Sequence, residues 1–321
     1  MKTKILILGG NGFIGSTFVD FFASNPECEV YATKHLNSNY CKNVKATYLQ
    51  VDLRLKDDVQ RLFDQARPDV VIHAAAVTTG SKDDIERPYL HVTDNTIINA
   101  LVFEACHIFK VKHCIFFSCT VMYQSKDTSQ SESDWKISDK LIDSYFGVAN
   151  MKIYAERLCE FYSRLGETKY TAIRHSNVYG PRDKFDLDKC HVLPAMIRKV
   201  IEANGSLEVW GDGTAKRDLI YIDDLINFVS LVIKNQTDAF ELFNCGYGQA
   251  FSILDIINII KNIVKKPELQ LVFNNSKPNI PTTLILNCSK ANETLNWYPI
   301  TTLQIGIDKT VKYYKEVLCS Q

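Results

Sequence analysis

The chain reads as an α/β protein: a Rossmann-type doubly wound parallel sheet with a smaller C-terminal α/β lobe. Three observations predict this. The run Lys4-Ile5-Leu6-Ile7-Leu8 is a short apolar strand, followed by glycines at 9, 12 and 15 and by Phe13, Ile14, Phe18, Phe21 and Phe22 at helical spacing. Strand-like and helix-like segments then alternate through the first half, as in a parallel sheet covered on both faces. With 321 residues, the chain is long enough to bury a large core and form two lobes.

The first unit turns sharply on glycine. Glycine permits a tight turn, lets backbone approach a phosphate and lets the helix pack on the strand. A helix entered this way aims its backbone N–H groups and its positive dipole end at one point, which suits a pyrophosphate. Glu29–Thr33 is the second strand and Leu55–Ala66 a helix. Asp69–His73 is an apolar strand running into Ala74-Ala75-Ala76, Thr93–Phe109 a long helix and His113–Ser118 the next strand. The polar stretch Gln124–Lys140 reads as a surface loop. A helix from about Gly147 to Leu165 and the strand Tyr170–His175 complete the first half.

Beyond Tyr179-Gly180-Pro181 the pattern loosens. Arg182–Lys189 is charged and reads as a loop, Val192–Ala203 as a short helix, and Ser206–Trp210 as a strand before Gly211-Asp212-Gly213. Ser252-Ile253-Leu254-Asp255 is a capping box ahead of an apolar helical run to Val264. The expected division is a dinucleotide-binding domain over 1–177 plus about 218–245. A substrate lobe takes about 178–217 and 246–321.

Charge and composition exclude several classes. Lys plus Arg and Asp plus Glu number 37 each, so no net charge draws the chain to nucleic acid or an anionic membrane. No apolar run approaches the roughly 20 residues of a membrane helix, and the apolar start is a strand rather than a signal peptide. The ten cysteines form no Cys-x-x-Cys and no zinc-like cluster with histidine. The reading is reduced thiols, no metal and a cytoplasmic location.

On these motifs the chain resembles the extended short-chain dehydrogenase/reductase family of nucleotide-sugar enzymes over nearly its whole length. Gly9, Gly12 and Gly15 match its glycine fingerprint, Asp52-Leu53 its adenine-side acid, and His73-Ala74-Ala75-Ala76 its cofactor turn. Arg174-His175-Ser176-Asn177-Val178-Tyr179-Gly180-Pro181 matches the segment leading into the substrate lobe. Further matches point to the GDP-fucose-synthase-like branch: Gly180–Asp186, Cys190–Arg198, Val209-Trp210-Gly211, Lys216–Asp224 and Ser276-Lys277-Pro278.

The resemblance implies a nicotinamide cofactor held by Gly9, Gly12, Phe13, Ile14, Gly15, Asp52, Leu53, Ala74, Ala75, Ala76 and Lys152. At the end of the second strand, Lys34 or His35 stands where an NAD enzyme places an acid for the ribose. A cation there can neutralise a 2′-phosphate, which tilts the choice toward NADP(H) over NAD(H).

For catalysis, the family pairs a tyrosine with a lysine four residues later, so that the ammonium lowers the phenol pKa. Lys152 matches the lysine, and the tyrosine position falls on Val148. Tyr145 lies seven residues before Lys152 and substitutes only if the chain there is non-helical and folds back. The serine or threonine position falls on Cys119, with Thr120 beside it; either can hydrogen-bond a sugar oxygen. His191 matches a histidine used for epimerisation next to a keto group. Substrate contacts are implied at Asn177, Arg198, Trp210 and Arg217, an arginine fork suiting a diphosphate.

The expected activity is hydride transfer at C4 of a GDP-linked, 4-keto sugar, as a reductase or epimerase–reductase. Two alternatives stay open: a C4 dehydrogenase or 4-epimerase with tightly held NAD, and a nucleotide-sugar-binding protein that has lost catalysis. The helices around Ile97–Phe109 and Val148–Tyr162 are apolar on more than one face, as a homodimer interface requires.

Overall fold

The computed structural model describes residues 2–34, 43–78, 87–187, 190–277 and 282–318. His35, Cys41, Pro278 and Cys319 lie outside them. The first half runs β1 (Thr3–Leu8), α1 (Phe13–Ser24), β2 (Cys28–Lys34), β3 (Ala46–Gln50), α2 (Lys56–Ala66), β4 (Val70–His73), α3 (Thr93–Ile108), β5 (His113–Phe117), α4 (Phe146–Ser163) and β6 (Lys169–His175). There follow β7 (Asn177–Tyr179), α5 (Val192–Glu202), β8 (Ser206–Trp210), β9 (Lys216–Tyr221), α6 (Ile222–Asn235), β10 (Phe240–Cys245), β11 (Ala250–Ser252), α7 (Ile253–Val264), β12 (Gln270–Asn274), α8 (Ser289–Leu295) and α9 (Leu303–Tyr313).

Seven strands form one sheet in the order β10-β6-β5-β4-β1-β2-β3, every neighbouring pair parallel. Strands in such a sheet are covered on both faces, which is why Ile5–Leu8, Val70–His73 and His113–Phe117 are buried at every position. Phe18, Val19 and Phe22 of α1 and Leu225, Phe228 and Val229 of α6 pack one face. Val59, Leu62 and Phe63 of α2, Val102 and Phe103 of α3, and Ala155 and Cys159 of α4 pack the other.

The remaining strands make two small sheets. β9 pairs in parallel with β7 and antiparallel with β11, and β12 pairs in parallel with β8. The chain therefore leaves the large sheet after β6, builds the small sheet through β9, and returns to the edge of the large one with β10 beside β6. The capping box forms as expected, with the Ser252 Oγ accepting from the Asp255 N–H at 3.0 Å and the Asp255 carboxylate accepting from the Ser252 N–H at 2.9 Å.

One expectation is corrected. The stretch 124–140 is not simply a surface loop: Gln130 is only 2 % exposed and bridges to Leu286. The Glu132 carboxylate accepts from the Asn244 N–H, and its carbonyl from Arg174. Gln130 is buried because its side-chain amide donates to the Gln124 carbonyl and its backbone meets Ile285, Asn287 and Asn244, which composition does not register. β3 is a strand that the sequence reading passed over; it pairs with β2 at the sheet edge and stays partly exposed.

Candidate active site

In the sheet order, β1 connects outward to β2 and β3, and the chain then crosses back to β4 on the other side of β1. That reversal opens a crevice beyond the C-terminal ends of β1 and β4, the place where open α/β sheets bind ligands. A cavity of about 520 Å³ occupies it. Gly9, Gly12, Asp52, Leu53 and Ala74–Ala76 line it, together with Thr33, Arg54 and Asp94, which sequence reasoning missed.

The glycine turn is built by close approach. Gly9 has φ +78°, and a Cβ there would sit 2.8 Å from Ala75 Cα. Its N–H donates to the Thr33 Oγ1 at 2.9 Å, locking β1 to the end of β2. A Cβ on Gly15 would lie 2.1 Å from the Gly9 carbonyl oxygen, so helix and turn could not close together. Gly12 differs. It caps α1 without a side-chain acceptor, no acid stands in the first turn, and a Cβ there meets only the Gly9 carbonyl, at 3.3 Å. Backbone donors at this helix start are left for an anion.

Of the other expected cofactor residues, Phe13 and Ile14 pack partly against the core at the start of α1, and Lys34 is exposed at the end of β2. Asp52 is held in a two-point pair by Arg54, from Nε at 2.9 Å and Nη2 at 2.7 Å; Arg54 also reaches Asp94 at 3.1 Å.

Across the crevice, the ends of β5 and β6 carry the candidate catalytic groups. Val148 and Lys152 share one face of α4, one turn apart. Lys152 donates from Nζ to the Phe117 carbonyl at 2.8 Å and lies 4.8 Å from the centre of the Phe116 ring. Burial pulls its pKa below the usual lysine value. Cys119, just past β5, has its thiol pushed up by burial, against the opposing pull of Lys152. Thr120 is partly buried beside it.

Glu156, one turn beyond Lys152, anchors this corner. Arg174 grips it with Nε at 3.0 Å and Nη2 at 2.7 Å, and Ser118 donates to it at 2.6 Å. Arg174 also donates to the Tyr123 hydroxyl, which donates to the Asn244 side chain at 2.7 Å. All of these side chains are buried. Such a network fixes the ends of β5, β6 and β10 relative to α4.

Tyr145 stands before α4 in a short 3₁₀ turn, Asp143–Tyr145. Its phenol lies near Arg217, where it offsets part of the burial that lowers the guanidinium pKa. His191 is exposed at the N-terminal cap of α5. A further histidine, His175, ends β6; its ring packs edge-on against Phe117 with centroids 6.0 Å apart. Sequence reasoning quoted His175 within a longer match without giving it a role, although a titratable ring at a strand end was a signal.

The expected substrate residues are spread over β7, α5, β8 and β9. Arg217 donates from Nη1 to the Thr282 carbonyl at 2.7 Å. Asn177 donates to the Asp218 carbonyl at 3.3 Å. Asp218 staples β9 to the following segments, accepting from the N–H groups of Tyr247, Gly248 and Leu286. Burial raises its pKa to about 6. Arg198 is engaged by Glu202 at 3.0 Å and the Phe185 carbonyl at 3.0 Å, so it pins a loop. Trp210 is flanked by Lys199 and Lys277, 4.6 and 5.8 Å from its ring centre, an aromatic and cationic corner suited to a nucleotide.

The family model for the NAD dependent epimerase/dehydratase family matches residues 5–246. The chain belongs to that family. Among curated members it is 28 % identical to a GDP-L-fucose synthase of Sinorhizobium fredii, over 97 % of this chain and 95 % of that one. It is 26 % identical to a GDP-L-colitose synthase of Yersinia pseudotuberculosis, over 97 % of each. Among solved structures it is similar to the UDP-glucose 4-epimerase of Thermotoga maritima with UDP-glucose, with a TM-score of 0.86, 27 % identity, and 98 % and 99 % of the two chains covered.

As a member of the epimerase/dehydratase family, the chain carries a groove that fits a dinucleotide on its own geometry. The side-chain-free cradle at Gly12, the uncapped start of α1 and the cavity between β1 and β4 lie together. Among the described residues, no group of His, Cys, Asp and Glu forms a metal site. Nor, among the described residues, is any helix long and apolar enough to cross a membrane.

Proposed function

We propose that this enzyme transfers hydride at C4 of a GDP-linked sugar, acting as a reductase or epimerase–reductase on a 4-keto form. The observation that carries this reading is a pyrophosphate cradle at Gly9–Gly15 beside the cavity beyond β1 and β4, with the partly buried Lys152 ammonium held on the Phe117 carbonyl at the end of β5, the strand next to β4. Bound there, a nicotinamide dinucleotide supplies or accepts the hydride. Gly12 and the α1 N-terminus would hold its phosphates, and Asp52 and Leu53 its adenine end. Lys34, at the end of β2, favours NADP(H), by neutralising a 2′-phosphate.

The chain's own residues do the rest. Lys152 places a positive charge where an alkoxide develops at C4, and its buried setting makes that charge count for more than in water. Arg217 and the Trp210 corner would take the diphosphate and base of the sugar nucleotide, and Asn177 the sugar. His191, at an exposed cap, would do acid–base work at a carbon next to the keto group. The GDP preference draws support from the relatives named GDP-L-fucose and GDP-L-colitose synthases. The exposed residues Ile97, Phe146, Tyr154 and Phe161 on α3 and α4 are the face on which a homodimer would form. Cytoplasmic action belongs to the same reading.

A second reading is favoured by Val148 and by the similarity to a 4-epimerase: the enzyme oxidises C4 and returns the hydride, keeping its NAD throughout. One experiment separates them. The purified protein is incubated with GDP-4-keto-6-deoxysugars and NADPH, following the absorbance of the reduced nicotinamide, and the freshly purified protein is assayed for retained dinucleotide. Net cofactor oxidation supports the first reading. Retained NAD with interconversion of C4 epimers supports the second. Neither, with any nucleotide sugar, overturns both.

A further inference from the structure

Arg54 stands on the wall of the cavity beyond β1 and β4, among Asp52, Leu53, Val77, Asp94 and Ile98. Its guanidinium grips the Asp52 carboxylate at two points, Nε on Oδ1 at 2.9 Å and Nη2 on Oδ2 at 2.7 Å. Nη1 reaches the Asp94 carboxylate at 3.1 Å. The backbone adds to this. The Arg54 N–H donates to Asp52 Oδ1 at 3.0 Å, and the Asp52 N–H donates to the Asp58 carboxylate at 3.1 Å. Asp58 lies in the first turn of α2 and Asp94 in the first turn of α3, where the helix dipole favours an acid. The segment 52–54 is thus tied to the starts of two helices.

Stability does not account for the arrangement. The three side chains are 28 to 42 % exposed, and ion pairs so exposed add little to a fold. What the fork supplies is direction. A carboxylate on a cavity wall turns about two bonds. A planar guanidinium held on both its oxygens fixes its plane, and the third bond, to Asp94, fixes the guanidinium.

We propose that Arg54 is the positioning residue of the base subsite: it holds the Asp52 carboxylate in the orientation that accepts from the exocyclic amine of a purine, and Asp94 anchors it to α3. The proposal rests on the reading above, in which the cavity takes a nicotinamide dinucleotide with Asp52 at its adenine end. The rest of the wall suits such a base, with Leu53, Val77 and Ile98 supplying apolar contact for the ring. A purine with a carbonyl in place of the amine turns a lone pair toward a carboxylate that cannot rotate away. It loses the hydrogen bond and meets repulsion. Where the carboxylate is free to turn, the repulsion is relieved and discrimination between the two bases falls. Arg54 therefore sets base selectivity without being needed for the fold.

The test uses the full chain and two probes. These are nicotinamide adenine dinucleotide and its hypoxanthine analogue, which carries a carbonyl where adenine carries the amine. The 2′-phosphorylated pair replaces them if wild type holds that form more tightly. Dissociation constants are read by calorimetry. Wild type is expected to bind the adenine form at least about tenfold more tightly than the hypoxanthine form. Arg54→Lys keeps the charge and loses the fork, and the preference should fall by more than about threefold. The thermal midpoint should drop by no more than about 4 °C. Arg54→Met has a similar length and no donor; it carries the same expected loss of preference and serves if the lysine variant fails to fold. A smaller fall in preference overturns the proposal, and a larger fall in midpoint makes Arg54 a structural residue and overturns it too. A wild-type preference below about tenfold also overturns it, while dinucleotide binding, and so the parent reading, stands. A wild-type protein that binds no nicotinamide dinucleotide overturns the parent reading and this one with it.

Discussion

Val148 and Lys152 stand one turn apart on the same face of α4, and Lys152 reaches the sheet, donating to the Phe117 carbonyl at 2.8 Å. A partly buried ammonium held by a carbonyl and an aromatic ring, with no direct carboxylate pair among the described residues, is costly to fold. Its retention points to chemistry. Lys152→Met should therefore cut hydride transfer by at least about 100-fold while leaving the thermal midpoint unchanged or raised. Initial rates and thermal melts read the two effects separately. A large fall in midpoint with rate preserved would reverse the assignment.

Gly12 and Gly15 should fail in different ways. Gly12→Ala adds a Cβ that meets only the Gly9 carbonyl at 3.3 Å, so stability should move by less than about 1 kcal/mol. The same Cβ lies in the phosphate cradle, and nicotinamide dinucleotide affinity should drop by about tenfold or more, measured by calorimetry. Gly15→Ala, 2.1 Å from the Gly9 oxygen, should instead give protein that is unfolded or poorly expressed. A stable Gly15→Ala that binds dinucleotide normally would contradict the turn described here.

Breaking the buried Glu156–Arg174 pair should be expensive. Both side chains are within 6 % of full burial, and Glu156→Gln leaves the guanidinium without its charge partner. The expected loss is about 3–5 kcal/mol, from chemical denaturation. Replacing both residues with apolar ones of similar volume should recover part of it. A loss below about 1 kcal/mol for the single change would mean that solvent reaches the pair.

Asp183 gives a pH signature. Its Oδ1 accepts from the Lys184 N–H at 2.7 Å, while Oδ2 is buried with no partner among the described residues, and burial raises its pKa to about 7. The folded protein thus holds a proton that the unfolded chain, with an ordinary carboxyl near 3.8, has released. That contribution to stability is complete below about pH 4 and is lost as pH rises through about 7. Asp183→Asn keeps the acceptor and cannot ionise. Its midpoint should exceed wild type by a margin that grows from pH 5 to pH 8, on the order of a few kcal/mol at the upper end. A margin that stays constant or shrinks with pH would show the carboxylate to be solvated.

The first crossover and its pyrophosphate cradle were legible because their physics is local. Short apolar runs place β1, β4, β5 and β6, and the glycine spacing marks a turn where, at Gly9 and Gly15, backbone passes backbone without room for a Cβ. Lys152 was legible from its spacing, and the capping box at Ser252 from its pattern. The partly exposed edge strand β3 gave no such signal, because a half-solvated strand carries few apolar positions. The stretch around Gln130 looked like loop because its burial depends on partners more than 100 residues away, Asn244 and Leu286.

What the sequence determined by itself was the parallel α/β scaffold, the dinucleotide cradle and the absence of a phenol one turn before Lys152. Those follow from periodicity and from steric rules within a few residues. Only the tertiary structure decided which side chains surround that gap. It put Tyr145 near Arg217, tied Arg198 to Glu202, and set His175 against Phe117, because β5 and β6 are neighbours in the sheet though far apart in the sequence. Register between strands is fixed by the packing of the whole core, and no local pattern contains it.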